Sequence, residues 1–130
     1  MAVDVLIVDD SEPFRSLLRQ RLERLGCNVI GEAANASDGL QMLNARKPRL
    51  VTLDVMMPTI SGLDAKSLLA RIRADMPDVV VFVVSSFSKD NQAVTFLQAG
   101  AADYIQKPFI DFQSLSKKLK KYFRELDVEP

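Results

Sequence analysis

The sequence contains no histidine and only one cysteine, Cys27, among its 130 residues. The lack of histidine excludes serine–histidine–aspartate and cysteine–histidine catalysis, histidine-ligated zinc, and a phosphohistidine on the chain itself. A lone cysteine cannot form an internal disulfide, which fits a reducing compartment. Any chemistry must therefore use carboxylates, lysine, hydroxyl groups and a metal ion that prefers oxygen ligands.

The sequence also lacks an excess of positive charge and a long apolar segment. Lys plus Arg equals Asp plus Glu at 17 each, whereas proteins that bind nucleic acid through bulk electrostatics usually carry a basic excess. No apolar run approaches the roughly 20 residues of a membrane span, and the N-terminus lacks the features of a secretory signal. We therefore expect a cytoplasmic protein that binds neither nucleic acid directly nor a membrane.

Five apolar, strand-like segments alternate with five segments of helical periodicity. The predicted strands are residues 3–9, 28–33, 50–53, 79–84 and 103–106. The predicted helices are residues 12–25, 37–46, 63–74, 90–99 and 112–126. Strict alternation with short connections predicts an α/β domain spanning residues 1–130, in which helices cover a parallel sheet.

Polar residues follow the predicted strands at their carboxyl ends, where such sheets bind ligands. They are Asp9, Asp10, Asp54, Ser85 and Lys107. Two carboxylates ~4 Å apart repel each other by about 4 kcal/mol at an effective dielectric near 20. A cation must relieve this repulsion, and Mg²⁺ suits a site with few carboxylates.

Each of these residues also has an ordinary structural interpretation. Asp10 could be only a helix N-cap, Ser85 a turn residue, and Lys107 a solvated charge. Asp9 is harder to explain in this way, because it directly follows a buried type of strand. All the ordinary interpretations would have to hold together at one sheet edge, which favours a functional site.

Four sequence blocks contain these residues: Val8-Asp9-Asp10-Ser11, Leu53-Asp54-Val55-Met56-Met57-Pro58 with Gly62, Val84-Ser85-Ser86, and Ala101-Ala102-Asp103-Tyr104-Ile105-Gln106-Lys107-Pro108-Phe109. In this order and spacing they resemble the signature blocks of response-regulator receiver domains, the CheY-like family, over about residues 4–122. The resemblance implies a flavodoxin-like (βα)5 fold with a five-stranded parallel sheet of order 2-1-3-4-5 and helices on both faces.

The resemblance also implies the chemistry of a two-component phosphorelay. Asp54 would accept a phosphoryl group from a phosphohistidine of a sensor histidine kinase or a histidine phosphotransfer protein. Asp9, Asp10, Asp54 and the backbone carbonyl of Met56 would bind Mg²⁺, with Mn²⁺ as a possible substitute. The chain would be a phosphoprotein and no enzyme in the usual sense, catalysing only its own phosphoryl transfer and dephosphorylation.

A conformational switch is implied as well. Ser85 would supply the switch hydroxyl, Lys107 would contact the phosphate, and Tyr104 would rotate inward. The Lys107–Pro108 bond would be cis. An output protein or effector domain would then bind the face formed by the fourth helix, fifth strand and fifth helix.

The two residues that follow Ser85, Ser86 and Phe87, are expected to tune the lifetime of the phosphorylated state. Phe87 is bulky and apolar, and we expect it to hinder the attacking water and slow self-dephosphorylation. The stretch Val-Ser-Ser-Phe-Ser around them is also similar to the receiver of chemotaxis methylesterases.

Three other functions share this architecture. A flavodoxin-type cofactor binder would need a phosphate loop rich in glycine and hydroxyl groups after the first strand, where Asp9 and Asp10 would repel a phosphate. A Mg²⁺-dependent phosphohydrolase would use Asp54 as a nucleophile and turn over phosphate esters. A pseudo-receiver would act only as an interaction module, which the complete set of acidic, hydroxyl and lysine residues disfavours.

Overall fold

In the computed structural model, which describes residues 3–86, 92–108 and 110–126, five parallel strands form one sheet. The strands are β1 (Val3–Val8), β2 (Cys27–Ala33), β3 (Leu50–Asp54), β4 (Val80–Ser86) and β5 (Asp103–Lys107). The helices are α1 (Glu12–Arg24), α2 (Ala36–Arg46), α3 (Ala65–Asp75), α4 (Gln92–Gln98) and α5 (Phe112–Tyr122). The order β2-β1-β3-β4-β5 confirms the topology predicted from the sequence.

Two hydrophobic clusters lie on opposite faces of this sheet. Helices α1 and α5 cover one face with buried side chains that include Leu18, Leu22, Leu115 and Leu119. Helices α2, α3 and α4 cover the other face, for example with Leu43, Leu68, Ile72 and Phe96. Both faces are therefore covered, and every residue of β3 is buried. No helix within the described ranges has the length and apolar character needed to cross a membrane.

The end of α5 differs from its predicted position. The helix was expected to reach Leu126 but ends at Tyr122, and Arg124–Leu126 form a separate 3₁₀ turn. Phe123 leaves the helical conformation with φ −133° and ψ 92°, yet Phe123 and Leu126 both remain buried. The apolar pattern continues past the helix because the chain still covers the core after it changes conformation.

The start of α3 also differs from its predicted position. Helix α3 begins at Ala65 because the Asp64 side chain accepts a hydrogen bond from the Ser67 N–H and so caps the helix. Leu63 lies before this cap, in a short antiparallel bridge with Ile60. Helix α4 is described from Gln92 onward, and the earlier part of its predicted range lies outside the described residues.

Candidate metal centre

The acidic residues meet where two neighbouring strands end. Asp9 directly follows β1, Asp54 is the last residue of β3, and these strands pair in parallel register. One carboxylate oxygen from each of Asp9, Asp10 and Asp54 lies within 4.8 Å of the others. The structure therefore brings the three carboxylates together, as the strand-end argument predicts.

Asp9 is held rigidly at this edge. It is 1% exposed, and its N–H donates to the Ala33 carbonyl at 2.9 Å. Its Oδ1 accepts hydrogen bonds from the Ser11 N–H at 2.8 Å and from Lys107 Nζ at 3.1 Å. Its Oδ2 lies 3.0 Å from Lys107 Nζ in an ion pair, but accepts no well-directed hydrogen bond from the described residues. One buried carboxylate oxygen thus retains unused capacity.

Asp54 is also buried, at 2% exposure. Its Oδ1 accepts a hydrogen bond from the Met56 N–H at 3.0 Å, and its Oδ2 lies 3.3 Å from Lys107 Nζ. Burial raises the pKa of Asp54 to about 6, and the neighbouring charge of Asp9 acts in the same direction. The Met56 N–H and Lys107 oppose this rise but do not cancel it.

Lys107 supplies the positive charge of the site. Its side chain is 17% exposed, and its Nζ also lies 4.7 Å from the centre of the Phe14 ring. Burial alone would lower the pKa of Lys107, but the hydrogen bond to Asp9 and the charges of Asp54 and Asp9 outweigh it and raise the pKa. The lysine therefore remains a cation that joins the two buried carboxylates.

Asp10 differs from the other two carboxylates because it is exposed. The N-cap of α1 is Ser11, whose Oγ accepts a hydrogen bond from the Phe14 N–H at 3.3 Å. Asp10 is therefore not needed as a cap, and its carboxylate accepts no hydrogen bond from the residues that the structure describes. This arrangement removes the ordinary structural explanation for Asp10.

The donor set fits a hard divalent cation. Three carboxylates face a single ammonium group, so the ionised site carries a net negative charge. All three candidate ligands are oxygen donors, which Mg²⁺ and Mn²⁺ accept. Such an ion would engage the Asp9 Oδ2, which accepts no hydrogen bond from the described residues, and the exposed carboxylate of Asp10.

The predicted switch hydroxyl lies on the adjacent strand. Ser85 is 9% exposed, and its Oγ donates a hydrogen bond to the Ser86 carbonyl at 3.1 Å. Ser86 itself is exposed. Phe87, the predicted tuning residue, lies outside the described residues.

Tyr104 lies on β5 and faces outward, with 42% of its surface exposed. The ammonium of Lys118 sits 4.1 Å from the centre of its ring. The same ammonium donates to the Tyr104 carbonyl at 2.5 Å and lies 3.6 Å from the Asp103 carboxylate. At the end of this strand the Lys107–Pro108 bond is cis, as the resemblance implies.

Sequence reasoning missed two residues that touch the site. Phe14 belongs to the apolar face of α1 and to the hydrophobic core, and it also contacts Lys107. Arg15 follows it and donates a hydrogen bond to the backbone carbonyl of Asp9. The available signal was that both residues lie in the first helical turn after the acidic pair. A charged residue such as Arg15 is usually solvated at such a position, so the signal was weak.

Comparison with known proteins identifies relatives over most of the chain. The family model described as the response regulator receiver domain matches residues 5–120. The chain is 34% identical to the chemotaxis protein CheY of Thermotoga maritima, over 84% of this chain and 88% of that protein. It is 31% identical to the receiver domain of NtrX from Brucella abortus, whose crystal structure it matches with a TM-score of 0.82. This match covers 93% of this chain and 98% of that one.

Other relatives are considerably longer than this chain. It is 41% identical to the protein-glutamate methylesterase/protein-glutamine glutaminase 3 of Hahella chejuensis, but the match covers 82% of this chain and only 30% of that protein. It also spans 50% of an uncharacterized response regulatory protein of Yersinia pestis. In these proteins the matching region is one part of a larger chain.

Proposed function

Because the chain belongs to the response regulator receiver domain family, we propose that it is a Mg²⁺-dependent phosphorylation switch whose phosphoacceptor is Asp54. The phosphodonor is a phosphohistidine on a sensor histidine kinase or a histidine phosphotransfer protein in the cytoplasm. One observation supports this most directly. A buried carboxylate at the end of β3 lies 3.3 Å from a lysine and within 4.8 Å of an acidic pair.

Asp54 is suited to act as the nucleophile. With a pKa of about 6 it is mostly ionised at neutral pH, and its Oδ1 is oriented by the Met56 N–H. A carboxylate oxygen of Asp54 attacks phosphorus in line, and the phosphorus–nitrogen bond of the phosphohistidine breaks with its electrons going to the imidazole. The product is an acyl phosphate on Asp54.

The other residues stabilise charge during the transfer. Asp9, Asp10, Asp54 and the Met56 carbonyl would hold Mg²⁺, which when bound neutralises charge on the phosphoryl oxygens. Lys107 already lies beside Asp54 and can contact a phosphoryl oxygen with little rearrangement. Catalysis by these residues is positioning and electrostatic stabilisation.

The acyl phosphate then changes the output surface. The Ser85 hydroxyl, which now bonds to the Ser86 carbonyl, turns to a phosphoryl oxygen, and Tyr104 moves inward from its exposed position. A hydrogen bond to a charged group is worth roughly 1.5–3 kcal/mol, whereas changing a population from 1:99 to 99:1 needs about 5.5 kcal/mol. Ser85 is therefore insufficient alone, and Lys107 must contribute.

The output partner would bind the face formed by α4, β5 and α5, where Tyr104 is exposed. This partner is a separate protein or an effector domain, consistent with the longer relatives in which the matching region is only a part. The receiver itself acts on no substrate other than its phosphodonor and its own acyl phosphate.

Intact-mass analysis after incubation with acetyl phosphate tests this proposal. We expect one phosphate per chain with Mg²⁺, much less with EDTA, and none in Asp54→Asn. Asp64→Asn is the matched control, because Asp64 caps α3 through Ser67 and should leave labelling unchanged when replaced.

The result also separates the alternative functions. Repeated hydrolysis of a phosphate ester without a stable adduct would indicate a phosphohydrolase. No adduct from acetyl phosphate or from a phosphorylated histidine phosphotransfer protein would indicate a pseudo-receiver. Either result would refute the proposal.

A further inference from the structure

A partly buried arginine lies directly behind the acidic pair, in the first turn of α1. The Arg15 side chain is only 14% exposed. Its Nη1 donates to the backbone carbonyl of Asp9 at 2.5 Å, and its Nε donates to Glu32 Oε1 at 3.0 Å. The guanidinium therefore joins the loop after β1 to a carboxylate on β2.

Glu32 is itself held in place by a second arginine. Its Oε2 lies 3.0 Å from Arg19 Nε, and Arg19 Nη2 donates to the Val29 carbonyl at 3.3 Å. Glu32 also lies opposite Ile7 in the parallel β1–β2 pair. The anchor for Arg15 is thus a half-buried carboxylate fixed on a strand of the sheet.

This contact matters most for Asp10. The carbonyl that Arg15 binds belongs to the peptide group joining Asp9 to Asp10, so the guanidinium restricts rotation of that peptide. The Asp9 side chain has further restraints, since it accepts hydrogen bonds from Ser11 and Lys107. The exposed Asp10 carboxylate has no hydrogen bond from the described residues, so its position depends on its backbone.

We propose that Arg15 is a positioning residue for the divalent cation, which orients the Asp9–Asp10 peptide so that both carboxylates face one ion. The inference rests on the proposed function, because it assumes that the acidic pair binds Mg²⁺. Groups that orient metal ligands contribute strongly to affinity, and their loss typically costs 10–100-fold.

A simple charge effect predicts the opposite sign. A guanidinium near the acidic pair repels a divalent cation, so removing that charge should tighten Mg²⁺ binding, and added salt should weaken the effect. Positioning predicts weaker binding after Arg15 is removed, at low and high salt alike. The direction of the change therefore separates the two effects.

Calorimetric titration of the full chain with Mg²⁺ tests this inference. We expect Arg15→Gln to weaken Mg²⁺ binding about tenfold, near the lower end of the range for such partners. Arg15→Lys retains the charge but cannot bridge Asp9 and Glu32 with one planar group, so we expect it to weaken binding about threefold or more. Arg71→Gln is the matched control, since Arg71 pairs with Asp75 on α3 and contacts neither Asp9 nor Glu32, and its affinity should stay within about twofold of the wild type.

The outcomes distinguish this inference from the proposed function. Tighter binding by Arg15→Gln, or unchanged binding by Arg15→Lys, would overturn the positioning role while leaving Asp54 phosphorylation intact. A wild-type chain that binds no Mg²⁺ would instead overturn the metal dependence of the proposed function, and the inference with it. Arg15→Lys also allows the test if Arg15→Gln does not fold.

Discussion

Replacing Asp54 with asparagine measures the electrostatic cost of the site. The Asp54 side chain is 3% exposed, and burial raises its pKa from 3.8 to about 6. Since one pKa unit corresponds to 1.36 kcal/mol, ionised Asp54 destabilises the fold by about 3 kcal/mol. Lys107 keeps Asp9 as a partner in the variant. We therefore expect Asp54→Asn to raise the free energy of unfolding by about 2–3 kcal/mol at pH 7 without divalent cations.

The pH dependence has a definite sign. The folded carboxyl group binds its proton more tightly than the unfolded one, so the wild type loses stability as pH rises from about 4 through about 6. Below the unfolded pKa both states are protonated and the cost is absent. The gap between the variant and the wild type should therefore be small near pH 4, widen up to about pH 6 and then level off.

Urea unfolding followed by far-UV circular dichroism, in EDTA at several pH values from 4 to 8, measures this gap. Asp64→Asn is the control of opposite sign, because hydrogen bonds from Ser67 lower the pKa of Asp64. Its stabilising contribution is present at neutral pH and is lost as pH falls through its folded pKa. An Asp54→Asn variant that is less stable at pH 7, or equally different at pH 4 and pH 7, would refute the reasoning.

Three further predictions concern neighbouring residues. Thr52 is fully buried, and its hydroxyl has no hydrogen-bond partner among the described residues. Thr52→Val should therefore raise the free energy of unfolding in urea by about 1–2 kcal/mol. A loss of stability would mean that the hydroxyl has a partner. Phe14→Leu removes the ring beside Lys107 and should slow labelling by acetyl phosphate about three- to tenfold, without changing Mg²⁺ affinity; an unchanged rate would contradict this. Mg²⁺ at about 100 times its dissociation constant should raise the free energy of unfolding of the wild type by about 2.7 kcal/mol in urea. Asp9→Asn should lose most of this gain at the same Mg²⁺ concentration. Equal stabilisation of the wild type and the variant would exclude Asp9 as a ligand.

The main features of the fold and the acidic site could be predicted because they follow from local patterns. Alternating strand and helix periods predict the parallel sheet, and the carboxyl ends of β1 and β3 then bring Asp9 and Asp54 together. The end of α5 could not be predicted, because Leu126 continues the apolar period after the helix has ended. Arg15 was missed for another reason: its partner Glu32 is 17 residues away and becomes a neighbour only through the pairing of β1 with β2.

Under the proposed function, the origin of the site's positive charge explains how phosphorylation of Asp54 would act on Tyr104. The carboxylates come from the strand ends of β1 and β3, whereas Lys107 ends β5 and reaches past β4 to contact Asp54. Tyr104 lies three residues earlier on that same strand, roughly 10 Å away at about 3.3 Å per residue. In the proposed phosphorylated state, an acyl phosphate that draws Lys107 toward itself would pull on the strand that carries Tyr104. The opposing restraint is Lys118 on α5, which contacts the Tyr104 ring and carbonyl, so we expect the balance between these two lysines to set how readily Tyr104 moves.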